Sequence, residues 1–331
     1  MHSVERYFWV FILGAKILGL AFPPVLRLVA PDDLAAPVVE VLGRLMLPFL
    51  IGILYFTCLK IDLSEVLGQV RRPMRHAYLA AMLLVVAPVA AYAAVGRWVE
   101  GWQLGILLFL AMPVGMASAT LVGLCGGSAE LALVATTVTS LLCPITVPLV
   151  VYFITGRQLE IALWDWSQPL SVVRMFAMLA TVIVVPFGAA YLTRKLARGF
   201  VARHRDAFPA MAILSLSLLA FCIMASNSDF VLANLGQVGM LLAVVSGLTF
   251  ILYLGGYWLL PRASVEERVA ASVCTAYVNN GLAIVFAYQF FSAQAALPAV
   301  LVSFPMVFSI VPVRHIARRL LAGRGLGPQA A

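Results

Sequence analysis

Long apolar stretches without a charged side chain dominate the chain. Between Asp229 and Arg262 there are 32 residues without Asp, Glu, Lys or Arg, and between Arg268 and Arg314 there are 45. A helix needs about 20 apolar residues to cross about 30 Å of hydrocarbon. The longer stretch is therefore predicted to hold two crossings, with a turn near 292–298.

The same pattern along the whole chain predicts ten transmembrane helices. Lys16 and Arg44 interrupt the first two of them, which are otherwise apolar. The ten predicted spans are 7–29, 37–59, 76–98, 103–125, 130–154, 170–193, 209–227, 236–259, 268–290 and 295–316. We therefore expect an all-α polytopic membrane protein.

Composition excludes an ordinary soluble domain. Hydrophobic residues make up 63% of the 331 residues and charged residues 11%, and the mean hydropathy is +1.03, whereas soluble proteins carry about 25% charged residues. The net charge of +8 does not indicate nucleic-acid binding, because the basic residues flank the spans and are placed to meet lipid headgroups. The five cysteines show no metal-site spacing, and a disulfide framework or zinc site is not expected.

Basic residues favour one side of the membrane. With ten spans, the connections that share a side with both termini hold 16 of the 22 Lys and Arg residues. Positive loops stay in the cytoplasm, so both termini are predicted to be cytoplasmic and the protein to lie in the cytoplasmic (inner or plasma) membrane. The 16 are Arg6, Lys60, Arg71, Arg72, Arg75, Arg194, Lys195, Arg198, Arg203, Arg205, Arg262, Arg268, Arg314, Arg318, Arg319 and Arg324.

Ten spans divide into two sets of five. An odd number of crossings in each half turns the second half over relative to the first, which is the inverted-repeat plan of many secondary transporters. The predicted halves are 1–155 and 165–320. Sequence similarity between them is weak, so this prediction rests on topology.

Corresponding spans of the two halves carry helix-breaking or polar residues at mid-membrane. The fourth span contains Pro113 and Gly115, followed by Ser118 and Thr120. Isolated Pro and Gly are common in membrane helices, so a simple kink is one interpretation of this span. The other is a break that opens the backbone around a ligand, an ion or water.

The ninth span contains Tyr277, Asn279, Asn280 and Gly281. Two adjacent asparagines need hydrogen-bond partners that lipid does not offer. They are predicted to line a polar site, with Gly281 marking the break in the helix.

Lys16 lies inside the first span. An intramembrane lysine marks a functional position unless its side chain reaches the interface, and both interpretations stay open at this stage.

Several segments resemble one known family of transporters. Pro113-Val-Gly-Met-Ala-Ser118 and Thr136-Thr-Val-Thr-Ser-Leu-Leu-Cys-Pro144 are similar to helices 4 and 5 of the bile acid:sodium symporter family. Val278-Asn-Asn-Gly-Leu-Ala283 resembles its helix 9 signature. Leu59-Lys-Ile-Asp62 resembles the loop after its second helix, and Arg72-Pro73 resembles the entry to its third helix. The resemblance covers nearly the whole chain at low identity.

The resemblance implies a particular architecture. A panel domain would contain helices 1, 2, 6 and 7, about 7–59 and 170–227. A core domain would contain helices 3–5 and 8–10, about 76–154 and 236–316, with broken helices 4 and 9 crossing inside it. Family members carry organic anions with sodium bound behind the crossing.

The sodium ligands that the resemblance implies are mostly replaced in this chain. Ser118 and Thr136 are kept. Aliphatic and thiol groups are poor ligands for a hard cation, so a double sodium site is not expected. The family's polar ligands fall on Ala119, Ala132, Cys274, Val278 and Leu83.

One weaker sodium site remains as a prediction. It would use Ser118, Thr136, Asn279 and backbone carbonyls. Otherwise transport would be proton-coupled, exchange or uncoupled, and the lack of a mid-span acidic residue favours exchange or uncoupled transport. No other cofactor is expected.

The leading functional hypothesis is a carrier for a small organic anion. The residues predicted to form its site are Ser118, Ala119, Thr120, Thr136, Cys274, Thr275, Asn279 and Asn280. A second hypothesis is metalloid efflux as in the distantly related arsenite permeases, because Cys125 and Cys274 lie on the two interrupted spans. An enzyme or a sensor is not expected, since the spans contain no HExxH, GxSxG or paired acids.

Overall fold

The computed structural model describes residues 8–29, 32–59, 73–95 and 101–322. Several segments singled out above lie outside these ranges, namely Arg6, 60–72, 96–100 and Arg324. Regular structure in the described ranges is helical, with two isolated backbone bridges in addition. The helices are α1 (Phe8–Val29), α2 (Asp32–Cys58), α3 (Pro73–Ala81), a π-helical turn (Met82–Val86), α4 (Ala87–Val95), α5 (Gln103–Leu110), α6 (Ser118–Leu124), α7 (Ala129–Thr155), α8 (Val172–Leu196), α9 (Arg198–His204), α10 (Phe208–Ala233), α11 (Leu235–Trp258), α12 (Val265–Ala276), α13 (Asn280–Phe290) and α14 (Ala293–Ala322).

Eight helical segments of the described chain are long and apolar enough to cross a membrane. They correspond to the predicted spans 1–3, 5–8 and 10, so the prediction of an all-α, multi-pass membrane protein is confirmed. The predicted spans 103–125 and 268–290 each hold two shorter helices, α5 with α6 and α12 with α13.

A first group of helices consists of α1, α2, α8 and α10, in which α10 packs along both α1 and α2. The contact with α1 is close at Gly19, where a Cβ atom would lie 2.4 Å from the carbonyl oxygen of Phe221. Near the end of α1, the guanidinium of Arg27 forms a bidentate ion pair with the carboxylate of Asp229 in α10, and both hydrogen bonds are 2.7 Å long. Since both side chains are partly exposed, this pair orients the helices more than it stabilises them.

A second group contains α11 to α14 together with α5, α6 and α7. Glycines again allow close packing of these helices. A Cβ atom on Gly105 of α5 would lie 2.4 Å from the carbonyl oxygen of Ala295 in α14, and one on Gly256 of α11 would lie 2.5 Å from Oγ1 of Thr275 in α12. Small residues at such contacts are typical of helices that pack in lipid, where no hydrophobic effect drives association.

Side-chain caps explain where several helices begin. Ser128 caps α7 by accepting a hydrogen bond from the Leu131 amide, 3.2 Å away, and Ser264 forms a capping box with Glu267 at α12. Ser292 accepts from the Ala295 amide at 3.0 Å and so begins α14. The turn predicted near 292–298 is therefore shorter than expected, and Pro298 lies inside the helix.

Two polar segments differ from the sequence expectation. α10 continues to Ala233, past the predicted end at 227, because a helix satisfies its own backbone and polar side chains do not end it. Arg268 was counted among the loop residues but lies in α12, buried. Its guanidinium covers the rings of Tyr257 and Trp258, 4.0 and 4.6 Å from their centroids.

Candidate functional site

The stretch 111–117 joins α5 to α6 without helical structure. Pro113 lies within it and has no amide hydrogen to donate, which disfavours a continuous helix there. The end of α5 and the first part of this stretch are buried, since residues 106–115 lie inside the protein. A non-helical backbone at this depth needs polar partners from elsewhere in the structure.

The stretch 277–279 separates α12 from α13 in the same way. α12 ends at Ala276, and α13 starts after Asn279, whose Oδ1 accepts a hydrogen bond from the Leu282 amide at 3.1 Å. Asn279 is thus the N-cap of α13, a position at which asparagine is strongly preferred. Its side chain has a structural task that the sequence prediction did not give it.

The two interrupted stretches pair with each other through an antiparallel bridge between Val114 and Val278. The Gly115 amide donates to the Tyr277 carbonyl at 2.7 Å, and the Asn279 amide donates to the Pro113 carbonyl at 2.8 Å. Backbone groups freed by each interruption therefore satisfy those freed by the other. We call these segments, 111–117 and 277–279, the paired segments.

Ser118 strengthens this pairing. Its Oγ donates to the same Tyr277 carbonyl at 3.2 Å, and its side chain is fully buried. Gly115 fits tightly beside it, because a Cβ atom there would lie 3.1 Å from the carbonyl oxygens of both Tyr277 and Val278. Pro113, Gly115, Ser118 and Asn279, all predicted from sequence, thus come together.

α7 supports the paired segments through a residue that the sequence prediction missed. Thr139 Oγ1 accepts a hydrogen bond from the Val114 amide at 3.1 Å and donates to the Ala135 carbonyl at 2.7 Å. The predicted Thr136 instead donates within its own helix, to Ala132 at 2.8 Å. The run of hydroxyl residues at 136–140 was the available signal, but it did not distinguish between the threonines.

Asn280 is placed differently from its neighbour. Its Nδ2 donates to the thioether sulfur of Met306 in α14 at 3.0 Å, and sulfur is a weak acceptor. Its Oδ1 is buried without a partner among the described residues. An amide held this weakly is available to a ligand. Met306 has no polar signal in the sequence and was missed.

The other predicted site residues lie around the paired segments or face away from them. Ala119 is half-buried and Thr120 is exposed on α6. Thr275 donates to the Ala271 carbonyl at 2.7 Å and packs against Gly256 of α11. Gly281 is buried at the start of α13, close to Leu50 and Leu219. These residues are not brought together by polar contacts.

Four of the positions that the resemblance assigns to sodium ligands are apolar and buried. Ala132, Cys274 and Val278 are at most 7% exposed. Leu83 is buried in the π-helical turn, which packs against α7. Cys125 and Cys274 are likewise buried. No group of three or more His, Cys, Asp or Glu residues comes together among the described residues.

Lys16 lies away from the paired segments, at the contact of α1 with α14. Only 4% of it is exposed, so its side chain does not reach an aqueous interface. The ammonium donates to the Ser303 hydroxyl and to the Val300 carbonyl, the latter at 3.4 Å. It also lies 4.2 Å from the centroid of the Phe304 ring.

A further polar cluster in α10 was not predicted. Ser226, Asn227 and Ser228 each have a buried side-chain oxygen without a partner among the described residues. The sequence signal was three consecutive polar residues next to Asp229 in a span, a pattern that lipid-facing helices avoid.

Comparisons with known proteins match the chain to a family of membrane transporters. The model of the sodium bile acid symporter family matches residues 47–234. YocS of Bacillus subtilis (strain 168), described as an uncharacterized sodium-dependent transporter, is 22% identical over 308 residues, which cover 91% of this chain and 88% of YocS. YbaS of the same organism, described as an uncharacterized protein, is 24% identical over 204 residues, 60% of this chain and 62% of YbaS.

Proposed function

The chain belongs to the sodium bile acid symporter family, and from this premise we propose that it carries a small organic anion across the membrane by alternating access. It is a multi-pass membrane protein of a transporter family. We propose its substrate class (a small organic anion), its mechanism (alternating access) and its coupling (without the double sodium site).

The paired segments are the observation that carries the proposal. Non-helical backbone at membrane depth occurs where it is buried in protein or lines a water-filled cavity, and in many transporters interrupted helices of this kind hold the substrate and ion sites. Here two interruptions from distant parts of the chain meet and exchange two backbone hydrogen bonds. Asn280, whose amide oxygen has no partner among the described residues, lies next to them. We assign the substrate and ion site to the paired segments. The side chains proposed to surround it are Ser118, Thr136, Asn279 and Asn280.

The proposed architecture has ten crossings. α5 with α6 and α12 with α13 would form the broken fourth and ninth helices, added to the eight continuous spans. The halves 1–155 and 165–320 would be inverted repeats. The packing of α1, α2, α8 and α10 as one group supports a panel domain, and the packing of α11 to α14 with α5 to α7 supports a core domain.

The distribution of basic residues supports a particular orientation of the protein in the membrane. The described basic residues near the end of α8, in α9 and near the end of α14 belong to the side predicted to be cytoplasmic. We therefore propose that both termini face the cytoplasm and that the protein lies in the cytoplasmic membrane, in contact with anionic lipid headgroups.

Sodium coupling is the point at which this chain departs from its relatives. YocS is described as sodium-dependent, which favours a sodium site here as well. Against this, buried Ala132, Cys274 and Val278 offer no side-chain oxygen at the family's ligand positions. We propose transport without the double sodium site, as exchange or uncoupled carriage, with at most one weak site at Ser118, Thr136 and Asn279.

The test of coupling is thermal stability of the purified protein in sodium chloride against potassium or choline chloride at matched ionic strength. An ion that binds the folded state raises stability by mass action. Equal melting temperatures up to high sodium are the expected result. A sodium-specific rise would overturn the proposed loss of coupling and return the chain to sodium symport.

The test of the site is transport by Asn279→Ala and Asn280→Ala in proteoliposomes. The transported compound is the small carboxylate that, among those screened, raises the melting temperature of the wild-type protein most. Both variants are expected to transport at least tenfold more slowly than the wild type, because a hydrogen bond to a charged ligand is worth about 1.5–3 kcal/mol. Full activity of both would show that the crossing is not the substrate site.

A further inference from the structure

Lys16 is a buried basic residue whose described partners carry no charge. It contacts a carbonyl, a hydroxyl and an aromatic ring, all on α14. α14 contains no acidic residue. None of the ion pairs among the described residues includes Lys16.

The helices packed around Lys16 offer no carboxylate nearby either. The acidic residue of α10 is Asp229, which binds Arg27, eleven positions along α1 from Lys16. In α2 the described acidic side chain is that of Glu40, which binds Arg44 of its own helix. An ammonium buried without an opposite charge is costly.

Lys16 also joins the two groups of helices. α1 packs with α2 and α10, whereas α14 packs mainly with α11, α13 and α5 and also contacts α10. A movement that carries α1 away from α14 breaks the bonds from Lys16 to Ser303 and Val300. These bonds therefore act as a latch between the groups, and Lys16, Val300 and Ser303 are called the latch below.

The latch and the proposed substrate site share helix α14. Asn280 contacts Met306 of α14, and Lys16 contacts Ser303 of the same helix. Three residues along a helix correspond to a rise of about 4.5 Å. The residues of α14 that contact Lys16 and Asn280 are therefore less than one helical turn apart.

We propose that the anionic group of the substrate binds Lys16 in place of the Ser303 hydroxyl and the Val300 carbonyl, and that this exchange of partners opens the latch. The inference rests on the proposed function and names the residue that recognises the charge. A carboxylate makes a stronger bond to an ammonium than a hydroxyl or a carbonyl does, so it displaces both.

The consequence is a carrier that exchanges anions. The loaded protein has its latch open and a neutralised cation, so the two groups can move. The empty protein has its latch closed, and moving would leave the ammonium without any partner. Return of the empty carrier is therefore slow, and exchange of one anion for another is faster than net flux.

The binding experiment uses three carboxylates of increasing size, each against its neutral amide. The pairs are pyruvate and pyruvamide, succinate and succinamide, and cholate and cholamide. For the wild-type protein we expect at least one carboxylate to raise the melting temperature while its amide does not. Lys16→Met should lose this carboxylate-specific rise, and the exposed Lys195→Met should keep it.

The stability of the empty protein separates this role from a structural one. Replacing an unpaired buried charge by an apolar side chain is stabilising when the charge serves a ligand. Empty Lys16→Met should therefore melt at or above the wild-type temperature. A clear drop in melting temperature, together with a preserved carboxylate effect, would overturn the proposal and make Lys16 a structural anchor.

The flux experiment uses proteoliposomes and the radiolabelled carboxylate with the largest effect, corrected for leak in protein-free liposomes. Wild-type exchange should exceed net efflux at least tenfold. Ser303→Ala should retain binding but raise net efflux several-fold, because the latch is weakened. Ser309→Ala, on the same helix but bonded to Tyr253, should behave like the wild type.

Each outcome decides a separate question. If the wild type neither binds nor transports any of the carboxylates, the proposed function itself is wrong. If it transports one and Lys16→Met binds it equally well, only the role of Lys16 is wrong. Should Lys16→Met fail to fold, the wild-type flux ratio still decides, since net efflux as fast as exchange would overturn the latch.

Discussion

The Asn279 amide donates a hydrogen bond to the Pro113 carbonyl at 2.8 Å, joining residues that are 166 positions apart. Proline interrupts the helix in one half of the chain, and the asparagine caps the resumed helix in the other. Pro113 therefore lies where one helix has ended and Asn279 where another begins, and each residue pairs with the other segment. The paired segments are joined to each other by main-chain hydrogen bonds, to which the side chains of Ser118 and Thr139 add one hydrogen bond each.

A first prediction concerns the space at this crossing. Gly115→Ala should lower the free energy of unfolding by about 1–3 kcal/mol, the range for overpacking, because its Cβ would lie 3.1 Å from the Tyr277 and Val278 carbonyl oxygens. Gly123→Ala in α6 is the matched control, since its nearest neighbour would be 4.0 Å away. Thermal unfolding in detergent measures both, and equal melting temperatures would contradict the prediction.

A second prediction separates the two asparagines by stability. Asn279→Ala removes the N-cap of α13 and should cost about 0.5–2 kcal/mol. Asn280→Ala removes a weak bond to Met306 and an unpaired oxygen, so its stability should change by less than about 0.5 kcal/mol. A stability loss in Asn280→Ala as large as that in Asn279→Ala would mean that Asn280 is structural and not a ligand residue.

The spans and the interruptions are local properties, which is why sequence indicates them. An apolar stretch of about 20 residues is sufficient evidence for a crossing, and a proline or two adjacent asparagines disturb a helix wherever they occur. The same argument explains an error. The polar residues at 226–228 looked like the end of a span, but α10 continues to Ala233 because backbone bonding in a helix does not depend on its side chains.

Contacts between distant residues were not predictable in this way. The choice of Thr139 over Thr136 as partner of Val114 depends on how α7 turns toward the paired segments. Lys16 had two open interpretations, and its contact with Ser303, 287 positions away, follows from the packing of α1 against α14. The sodium-ligand positions came from the resemblance alone, and their function stays a prediction.

A third prediction concerns the contact of α1 with α10. Gly19→Ala should cost about 1–3 kcal/mol, because its Cβ would lie 2.4 Å from a backbone oxygen of Phe221, which cannot move aside as a side chain can. Gly14→Ala on the same helix meets nothing within 4 Å and should be neutral or stabilising by up to about 1 kcal/mol. The difference in melting temperature between the two variants is the measurement, and no difference would show that the helices are not in close contact at Gly19.

The last prediction asks whether the family's sodium site can be restored. The resemblance places Cys274 at the position of the family's glutamate, and Cys274 is buried. Cys274→Glu should be less stable than the wild type in potassium chloride, because a buried carboxylate without a partner is costly. Sodium should recover part of the loss, and a concentration a hundredfold above the dissociation constant corresponds to about 2.7 kcal/mol. Cys143→Glu, at an equally buried position of α7, is the matched control and should lose stability equally in both salts.

Adding Ala119→Asn and Val278→Gln to Cys274→Glu should increase the sodium effect, since each supplies a further oxygen ligand. If melting of Cys274→Glu is identical in sodium and potassium, the assignment of the sodium position to Cys274 is wrong. A sodium-specific recovery would mean that this chain kept the geometry of the site and lost only its ligands.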